Sequence, residues 1–591
     1  MLPFNLFCMK KIITIICVSC ILFSCKKSTF LDDKTNGLTE EAVFTDSIQT
    51  INFLNKIYVD AGYTFGPSRF SSAGGSGNTE LATDNAEGTN NLAVWADSYV
   101  QGAIGPSNVG TNFGTDKDFW NTPYKNIRRV NLLLSKLPQA PFAEVTKRRI
   151  KAEARFLRVF YYHYLVAAFG GIPLIGDQVY GINDIINIPR NTYAECVSYM
   201  STELDAAAAD LANVVYKDID YGRVTHGACL ALKSRILLYA ASPLFNGGAI
   251  NTGANVVSLV GYPTADNNRW KQAADAADAV INSGLYSLNV DNTTRAGYGF
   301  YQLFLKRVNS EYIFAYNRPA QKEFETYYLP PTRSGSSVVR PTQSLVEAFP
   351  MRDGKSIKES TTYNANDPYV NRDPRFENSI IYNGLLYISN TGVKTQVLTY
   401  TSEGSAIANS TSDAYTTANK FTGYFSRKML DENLTNSSSG TTERAWPLLR
   451  YAEILLNYAE AITEAGQPEK AYDKLILLRS RAGILPGTDG LYGLKANMTV
   501  DEMRAIVRNE RRIELAFEDH RWNDIRRWKI ASTVLKGFNS IDIIRRTATN
   551  TYVHTVGSAP RPLNFRDAMY LLPIPLSEIQ KMPLMVQNPG Y

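Results

Sequence analysis

The chain has 591 residues, of which 44% are hydrophobic and 11% aromatic, enough apolar material for a large globular core. Its 62 lysines and arginines nearly balance its 56 aspartates and glutamates, and the net charge of +6 does not indicate a nucleic-acid partner. Four of the six cysteines precede residue 26, so Cys196 and Cys229 alone remain for a folded body, which excludes a disulfide framework and a thiolate metal site. Both lie in apolar helical patterns and are predicted to be buried thiols, with a single bridge left open.

The first residues carry the pattern of a bacterial lipoprotein signal. Lys10 and Lys11 form a basic start, an apolar run follows over 12–23, and Cys25 comes after a small residue. This order predicts a signal peptide over 1–24, a lipid on the Cys25 thiol and a polar tether over 25–39. The apolar run has about a dozen residues against the ~20 that a spanning helix needs. The chain is therefore predicted to be lipid-anchored, with an uncleaved apolar anchor as the alternative.

Helical periodicity dominates the body of the chain. Apolar residues recur at steps of three and four, and glycine or proline follows where each helix is expected to end. The pattern predicts helices over 151–169, 193–211, 227–241, 270–281 and 450–465, and a further helix that contains 471–482. The last two resemble a tetratricopeptide hairpin, because small residues mark the crossing and a turn lies near the middle of ~34 residues. We predict a mainly α fold with a scaffold of tetratricopeptide-like hairpins over about 120–290 and 445–530.

Two long stretches lack this periodicity. Residues 62–115 and 318–444 are rich in Gly, Ser, Asn and Thr and are punctuated by aromatic residues. Long irregular segments on a compact domain are usually functional or disordered, and the aromatic residues favour order. We therefore expect a single domain over 40–591, in which these two loop-rich regions form the ligand-binding surface.

The candidate binding residues lie in and beside these regions. A sugar presents C–H groups on its faces and hydroxyls at its edge, so its site needs flat aromatic rings flanked by polar side chains. The residues that meet this description are Trp95, Tyr99, Asp84, Asn85, Tyr316, Arg318, Tyr327 and Tyr328. Trp95 is the first choice, and its alternative role is to anchor the loop to the core.

No motif for catalysis or metal binding stands out. Glu510, Glu514 and Glu518 are spaced as carboxylates on one helix face would be, but arginines surround them. Nearby positive charge lowers a carboxyl pKa, whereas a general acid needs a raised one, so an ion-paired structural helix is the preferred interpretation. The four histidines show no zinc-binding spacing. We expect no enzyme activity and no cofactor, and leave open a structural calcium ion among the loop Asp and Asn side chains.

An ordered series of motifs resembles the SusD/RagB family of outer-membrane nutrient-binding lipoproteins. The segments that carry the resemblance are FLD at 30–32, WNTPYKNIRRVN at 120–131, AEARFLRVFYYHYLVAAFGGIPLI at 152–175, GRVTHGA at 222–228, RDPR at 372–375, RYAEILLNYAEA at 450–461, RSRAG at 479–483, ERRIELAFEDHRWNDIRRW at 510–528 and QNPGY at 587–591. The resemblance implies a tetratricopeptide-like helical body with an irregular binding region, acting as a lid on a SusC-like TonB-dependent transporter. It also implies an outer-membrane location, with the chain facing outside.

We therefore expect a lipoprotein that captures an oligosaccharide and delivers it to a SusC-like transporter without changing it covalently. Three alternatives stay open at this point. A peptide-binding member of the same family would have a deep, enclosed cleft lined by backbone groups. A glycoside hydrolase would need two facing carboxylates about 5 to 10 Å apart in the cleft. A scaffold protein would show an open concave groove free of insertions, and the many insertions argue against it.

Overall fold

The computed structural model describes residues 39–61, 79–88, 94–109, 119–181, 183–248, 250, 253, 256–403, 413 and 422–591. Cys25, the signal segment and the tether up to residue 38 lie outside these ranges, as does much of the first loop-rich region. Within the described ranges, no helix combines the length and the apolar character that membrane crossing requires.

Helices provide most of the regular structure. In chain order they are α1 (Glu40–Phe44), α2 (Ser47–Ala61), α3 (Val94–Val100), α4 (Asn121–Lys136), α5 (Glu144–Phe169), α6 (Tyr193–Leu211), α7 (His226–Ala241), α8 (Val257–Val260), α9 (Asn268–Asn282), α10 (Tyr298–Leu303), α11 (Glu323–Tyr328), α12 (Gln343–Ala348), α13 (Pro374–Ser379), α14 (Tyr451–Glu464), α15 (Tyr472–Ala482), α16 (Val500–Glu514), α17 (Arg521–Arg527), α18 (Ala531–Val534) and α19 (Leu576–Lys581). The mainly α fold that the periodicity predicts is therefore confirmed.

The strands form small sheets between the helices. They are β1 (Ala86–Gly88), β2 (Tyr312–Arg318), β3 (Val339–Pro341), β4 (Ile380–Ile381), β5 (Leu386–Ile388), β6 (Lys394–Gln396), β7 (Tyr400–Ser402), β8 (Phe425–Ser426), β9 (Arg444–Arg450), β10 (Lys536–Arg546) and β11 (Tyr552–Asn564). β2 pairs antiparallel with β9, and β11, β10 and β7 form a three-stranded sheet in that order. β1 pairs with β3, β4 with β8 and β5 with β6. The second loop-rich region thus contains three short helices and six short strands within its described part.

The helices predicted from periodicity pack in sequence. α5 packs on α6, α6 on α7 and α7 on α9, so the helices predicted over 151–169 and 193–211 are neighbours, as are those predicted over 227–241 and 270–281. α6 begins with a capping box, in which Thr192 and Glu195 each bind the other's backbone N–H. α5 begins at Glu144, earlier than the predicted residue 151. The prediction missed the first turns because they are polar and carry no apolar stripe. It ends at Gly170, whose φ of +81° favours glycine.

α14 and α15 form the predicted tetratricopeptide-like hairpin. Gly466, with a φ of +87°, lies in the turn between them, and α15 ends where Gly483 adopts a φ of +85°. Leu455 on α14 and Leu475 and Leu478 on α15 belong to one buried apolar cluster. α14 also packs on α9 and α16, so the hairpin is continuous with the preceding helices.

Cys196 on α6 and Cys229 on α7 are both buried and free. The prediction of two buried thiols is confirmed, and the bridge that was left open does not form. Burial raises the pKa of both thiols, so neither is activated as a nucleophile.

Candidate functional site

A cleft of about 350 Å³ opens where α2, the turn before α7 and the end of β2 meet. α2 contributes Asn55 and Tyr58, and β2 contributes Tyr316 and Asn317. The other lining residues are Val59, Ile219, Asp220, Tyr221, Gly222, Arg223, Phe314, Ala315 and Leu448. The cleft therefore combines tyrosine rings with amide, carboxylate and guanidinium groups, and we refer to it as the candidate cleft. The chain passes from α2 directly into the first loop-rich region.

Arg223 ties together the elements around the candidate cleft. Its guanidinium donates to Glu153 Oε2 at 3.1 Å, to Asp220 Oδ1 at 2.8 Å and to Asn55 Oδ1 at 3.1 Å. It also lies 5.8 Å from the centroid of the Tyr58 ring, within the range of cation–π contacts. Because these partners belong to α5, α2 and the turn before α7, the arginine holds all three in a fixed arrangement.

Glu153 lies behind the candidate cleft and is closed off from it. Its side chain is 0% exposed. It accepts hydrogen bonds from Tyr58 Oη at 2.6 Å and Tyr216 Oη at 3.3 Å, in addition to that from Arg223. Burial raises the pKa of Glu153 above its ordinary value, although Arg223 and Tyr58 act in the opposite direction. The carboxyl therefore supports the wall of the cleft and has no open path to a ligand.

Asn317 presents an amide at the opposite side of the candidate cleft. Its Nδ2 donates to the backbone oxygen of Tyr221 at 3.1 Å. Its Oδ1 is buried and has no hydrogen-bond partner among the described residues. An unsatisfied buried acceptor costs about 1–3 kcal/mol, so a donor supplied by a ligand would be favoured there. Gly222 packs so closely on this amide that a Cβ at that position would lie 2.3 Å from Asn317 Nδ2.

Replacing Gly222 tests this close approach. We expect Gly222→Ala to lower the free energy of unfolding by about 2–3 kcal/mol, because φ is +100° and the Asn317 amide must move away from Tyr221. Gly284→Ala is the matched control, since φ is +64° there but no described atom lies within 4 Å of the added Cβ. Its expected cost is about 1 kcal/mol. Urea unfolding of both variants measures the difference, and equal costs would show that the contact with Asn317 carries no weight.

The structure brings Tyr316, one of the predicted site residues, into the candidate cleft. Tyr316 is half-buried, opposite Trp446 of β9 in the strand register. Arg318 ends β2, and its side chain lies outside the described part of the structure. Tyr327 and Tyr328 lie on α11 and are not part of the cleft. Tyr328 is 0% exposed and packs edge-on against Phe324 of the same helix.

Trp95 and Tyr99 are core residues, which is a correction to the expectation that their rings face a ligand. Both are 0% exposed on α3. Their rings stack with centroids 5.3 Å apart, and each meets Trp522 edge-on at 5.7 Å. Tyr99 Oη donates to the backbone oxygen of Met569. Trp95 thus anchors its segment to the core, the alternative considered for it, and neither ring belongs to the candidate cleft.

Asp84 and Asn85 are also engaged within the protein. Asp84 pairs with Arg521 at 2.8 Å and with Arg512 at 3.0 Å, and these arginines lower its pKa to about 2 against the effect of burial. Asn85 accepts from Arg512 Nε at 2.8 Å and donates to Glu80 at 3.0 Å. Their polar atoms fix the 79–88 segment to α16 and α17, so the prediction that they bind a ligand is corrected.

Glu510, Glu514 and Glu518 are ion-paired in a buried charge cluster, but their partners are not the neighbouring arginines of the sequence, which pair with other groups. In this cluster five cations meet five carboxylates: Arg375, Lys428, Arg450, Arg479 and Arg481 with Glu311, Asp373, Glu510, Glu514 and Glu518. No side chain of the cluster is more than 4% exposed. α16 ends at Glu514, so Glu518 reaches the cluster from the following turn rather than from the same helix face.

Sequence signals are weaker for the other residues of the candidate cleft. Asn55 and Tyr58 lie on an amphipathic helix, where a tyrosine is indistinguishable from core packing. Gly222 and Arg223 open the GRVTHGA motif, which marked the family resemblance but carried no site assignment. A glycine next to an arginine in a turn before a helix was the signal that could have pointed to this cleft. In the described ranges, no three His, Cys, Asp or Glu side chains come together as metal ligands would, and a calcium ion stays a prediction.

Comparison with known proteins gives a consistent family. Residues 300–591 match the model described as SusD family, and residues 30–238 match the one described as starch-binding associating with outer membrane. The chain is 37% identical over 146 residues to SusD-like protein P2 of Formosa agariphila, covering 24% of this chain and 25% of that protein. It is 24% identical over 450 residues to SusD-like protein P38 of the same organism, covering 74% of this chain and 76% of that one.

Solved structures share the fold along nearly the whole chain. A SusD-like protein from Bacteroides fragilis is 25% identical with a TM-score of 0.73, covering 94% of this chain and 99% of that one. A laminarin-binding SusD-like protein is 19% identical with a TM-score of 0.60, covering 93% of this chain and 100% of that one. The tetratricopeptide-like scaffold and the loop-rich region therefore recur together in these proteins.

Proposed function

Because the chain belongs to the SusD family, whose members bind carbohydrates and associate with the outer membrane, we propose that it captures oligosaccharides and delivers them to a SusC-like TonB-dependent transporter. The observation that carries the proposal is the chemistry of the candidate cleft. Tyr316 and Tyr58 supply rings for the C–H faces of a sugar, and Asn317, Asp220 and Arg223 supply partners for its hydroxyls. Laminarin, the ligand of the laminarin-binding neighbour, is a carbohydrate as well.

The amide of Asn317 supports a hydroxyl-bearing ligand. Its Oδ1 lacks a described partner but is buried, so a sugar hydroxyl would satisfy it once the side chain turns toward the cleft. Arg223 and its carboxylate partners are already paired, which holds the site in place before the ligand arrives.

Delivery follows from anchoring and closure. The lipid on Cys25 would hold the chain at the outer face of the outer membrane, beside the transporter that it covers as a lid. A ligand seated between lid and barrel biases closure only by the difference in its affinity for the closed and open states. The protein therefore needs no chemistry of its own, and release is driven by the transporter.

The arrangement of carboxylates supports binding without hydrolysis. Asp220 lines the candidate cleft, but Glu153, which also binds Arg223, is 0% exposed and its oxygens are engaged by tyrosines and arginine. A glycoside hydrolase needs both carboxyl groups to reach the scissile bond. We therefore propose that the ligand leaves the cleft unchanged.

Calorimetric titration tests the proposal. We expect the purified chain to bind at least one member of a panel of neutral oligosaccharides, and Tyr316→Ala to weaken that binding about tenfold or more through loss of ring stacking. Tyr180→Ala is the matched control, because Tyr180 is another half-buried tyrosine outside the candidate cleft, and it should bind as the unaltered chain does.

The same titration separates the alternatives. If titration with peptides produces a heat of binding and titration with oligosaccharides produces none, the ligand is a peptide. New reducing ends that appear over time would show that the chain is a hydrolase. Delivery is tested by extracting the lipidated chain from the membrane and measuring whether a SusC-like transporter is retained with it. The anchor is tested with a Cys25→Ser chain, which should be released from the membrane. An oligosaccharide that binds Tyr316→Ala unchanged would overturn the assignment of the candidate cleft.

A further inference from the structure

A second cavity, of about 360 Å³, shares no lining residue with the candidate cleft. Three arginines and three aromatic side chains line it: Arg295, Arg352, Arg372, Tyr369, Phe376 and Tyr382. The chain brings two of the arginines together through an isolated bridge between Met351 and Arg372. We call this the arginine cavity. Its volume lies in the range of sites for small molecules.

Arg372 carries a buried charge that no carboxylate balances directly. It is 6% exposed. Its described hydrogen bonds all go to backbone oxygens, those of Pro368, Val346 and Phe349, and its Nε has no described partner. Its guanidinium also lies 4.9 Å from the centroid of the Phe376 ring. Burial lowers the pKa of Arg372, although Asp373 and nearby tyrosines act in the opposite direction.

The other charges around the arginine cavity do not cancel this one. Arg352 is exposed and makes no side-chain hydrogen bond or ion pair among the described residues. Arg295 pairs with Glu432 at 2.7 Å, but the same carboxylate also binds Arg427 at 2.5 Å. The acids on the lining are engaged as well, since Asp373 pairs with Arg375 at 2.7 Å and Glu377 lies 3.6 Å from Arg427. Positive charge is therefore in excess.

The aromatic wall gives the arginine cavity a second kind of recognition surface. Tyr369 and Phe376 stack with centroids 6.0 Å apart, Phe376 and Tyr382 stack at 5.1 Å, and the Tyr369 and Tyr382 centroids are 4.5 Å apart, so the three rings form one cluster. Tyr382 is half-buried. An inorganic anion would use the guanidinium groups alone, whereas a saccharide with a charged group would use both the guanidinium groups and the ring.

We propose that the arginine cavity is a second binding site, specific for an acidic saccharide whose carboxylate or sulfate group is bound by the exposed guanidinium of Arg352, beside the buried positive charge of Arg372, and whose sugar ring lies against Tyr382. The inference rests on the proposed function for the class of the ligand and adds a preference for anionic sugars. Guanidinium groups bind both anions through paired, charge-assisted hydrogen bonds, so the shared chemistry is a planar or tetrahedral oxyanion on a sugar.

Titration of the purified chain with matched ligands tests the inference. The probes are uronic-acid oligosaccharides, sulfated oligosaccharides, neutral oligosaccharides of equal length and inorganic sulfate. We expect at least one acidic oligosaccharide to bind, with an affinity that falls as salt is raised. Arg352→Ala should weaken it about tenfold or more without lowering stability, because Arg352 has no described side-chain partner to lose. Arg148→Ala, which removes an exposed arginine on α5, is the matched control and should change nothing.

The outcomes decide separately for the two sites. Uronate binding or sulfate-ester binding that depends on Arg352 supports the inference and names the anion. Equal binding by Arg352→Ala and the unaltered chain overturns it, as does inorganic sulfate that binds as tightly as the sulfated sugar. Neutral oligosaccharides that require Tyr316 but not Arg352 would leave the proposed function intact while the acidic site fails. If acidic ligands require Arg352 and no oligosaccharide requires Tyr316, the arginine cavity is supported and the assignment of the candidate cleft fails.

Discussion

Replacing Arg450 with methionine is expected to lower the free energy of unfolding by about 3–5 kcal/mol. Arg450 is 1% exposed and donates to three carboxylates of the buried charge cluster, Glu311 at 2.7 Å, Glu514 at 2.8 Å and Glu518 at 2.6 Å. In the cluster five cations meet five carboxylates, so the substitution leaves an excess negative charge in the core. Such a charge costs several kcal/mol because burial removes its hydration.

The electrostatics of the cluster favour the ionised forms of Glu510 and Glu514, because neighbouring arginines lower the pKa of both carboxyls. Burial opposes ionisation of Glu514, but Arg481, Arg450 and Arg375 together hold its pKa well below the ordinary value. Without Arg450, Lys428 still pairs with Glu518 and Arg375 still pairs with Glu514. The cluster is thus weakened rather than dismantled, which is why the expected loss is that of one broken buried pair.

Arg504→Met is the matched control for this prediction. Arg504 pairs with Glu464 at 2.5 Å and with Asp501, but its side chain is 30% exposed, so water and salt screen the interaction. The expected cost is about 1 kcal/mol or less. Urea unfolding of both variants, read out by circular dichroism, makes the comparison. Similar losses at the two positions would show that burial of the cluster adds nothing to stability.

The helical scaffold was predictable because its signals are local. The 193–211 prediction matches α6 at both ends, where a capping box begins the helix and the apolar stripe stops. Glycines mark the end of α5 and of α15 in the same way. Ion pairing of Glu510, Glu514 and Glu518 was foreseen, but the arginines of their own segment pair with Asp84 and Asp524 instead. The glutamates' partners from β9 and α13 were not foreseen, because contacts far apart in sequence leave no local pattern.

The β10–β11 ribbon and most of the candidate cleft were missed for related reasons. The ribbon's burial alternates irregularly, so no clean period of two marks it. Tyr58 was not singled out in the sequence, because its role depends on Arg223, which lies far along the chain. Tyr316 was predicted as a site residue because it follows the buried Ile313 and Phe314 in the sequence, and it lies in β2 on the lining of the candidate cleft. Its role in binding stays a prediction, and the other side of the cleft depends on tertiary contact.

Trp95 shows most clearly where residue type misleads. An aromatic residue in a polar, irregular segment fits a sugar platform, but it also fits an anchor that holds an otherwise weakly packed segment to the core. The structure gives Trp95 a stacked partner in Tyr99 and further ring contacts with Phe119 at 5.5 Å and Trp522 at 5.7 Å. Tyr99 lies on α3 together with Trp95, whereas Trp522 lies on α17 and Phe119 precedes α4. Trp95 therefore joins α3 to α17 and to the chain before α4.

Trp95→Ala is therefore expected to cost about 3–5 kcal/mol of stability, the range for removing a buried tryptophan. Oligosaccharide affinity of the fraction that stays folded should be unchanged, because the ring is 0% exposed and lies outside the candidate cleft. Tyr316→Ala should show the opposite profile, with weakened binding and less than about 1.5 kcal/mol lost, since its ring is only half-buried. Calorimetric titration at a temperature well below each unfolding midpoint, combined with urea unfolding, separates the two effects. A stable Trp95→Ala chain that no longer binds sugar would return the binding surface to the first loop-rich region.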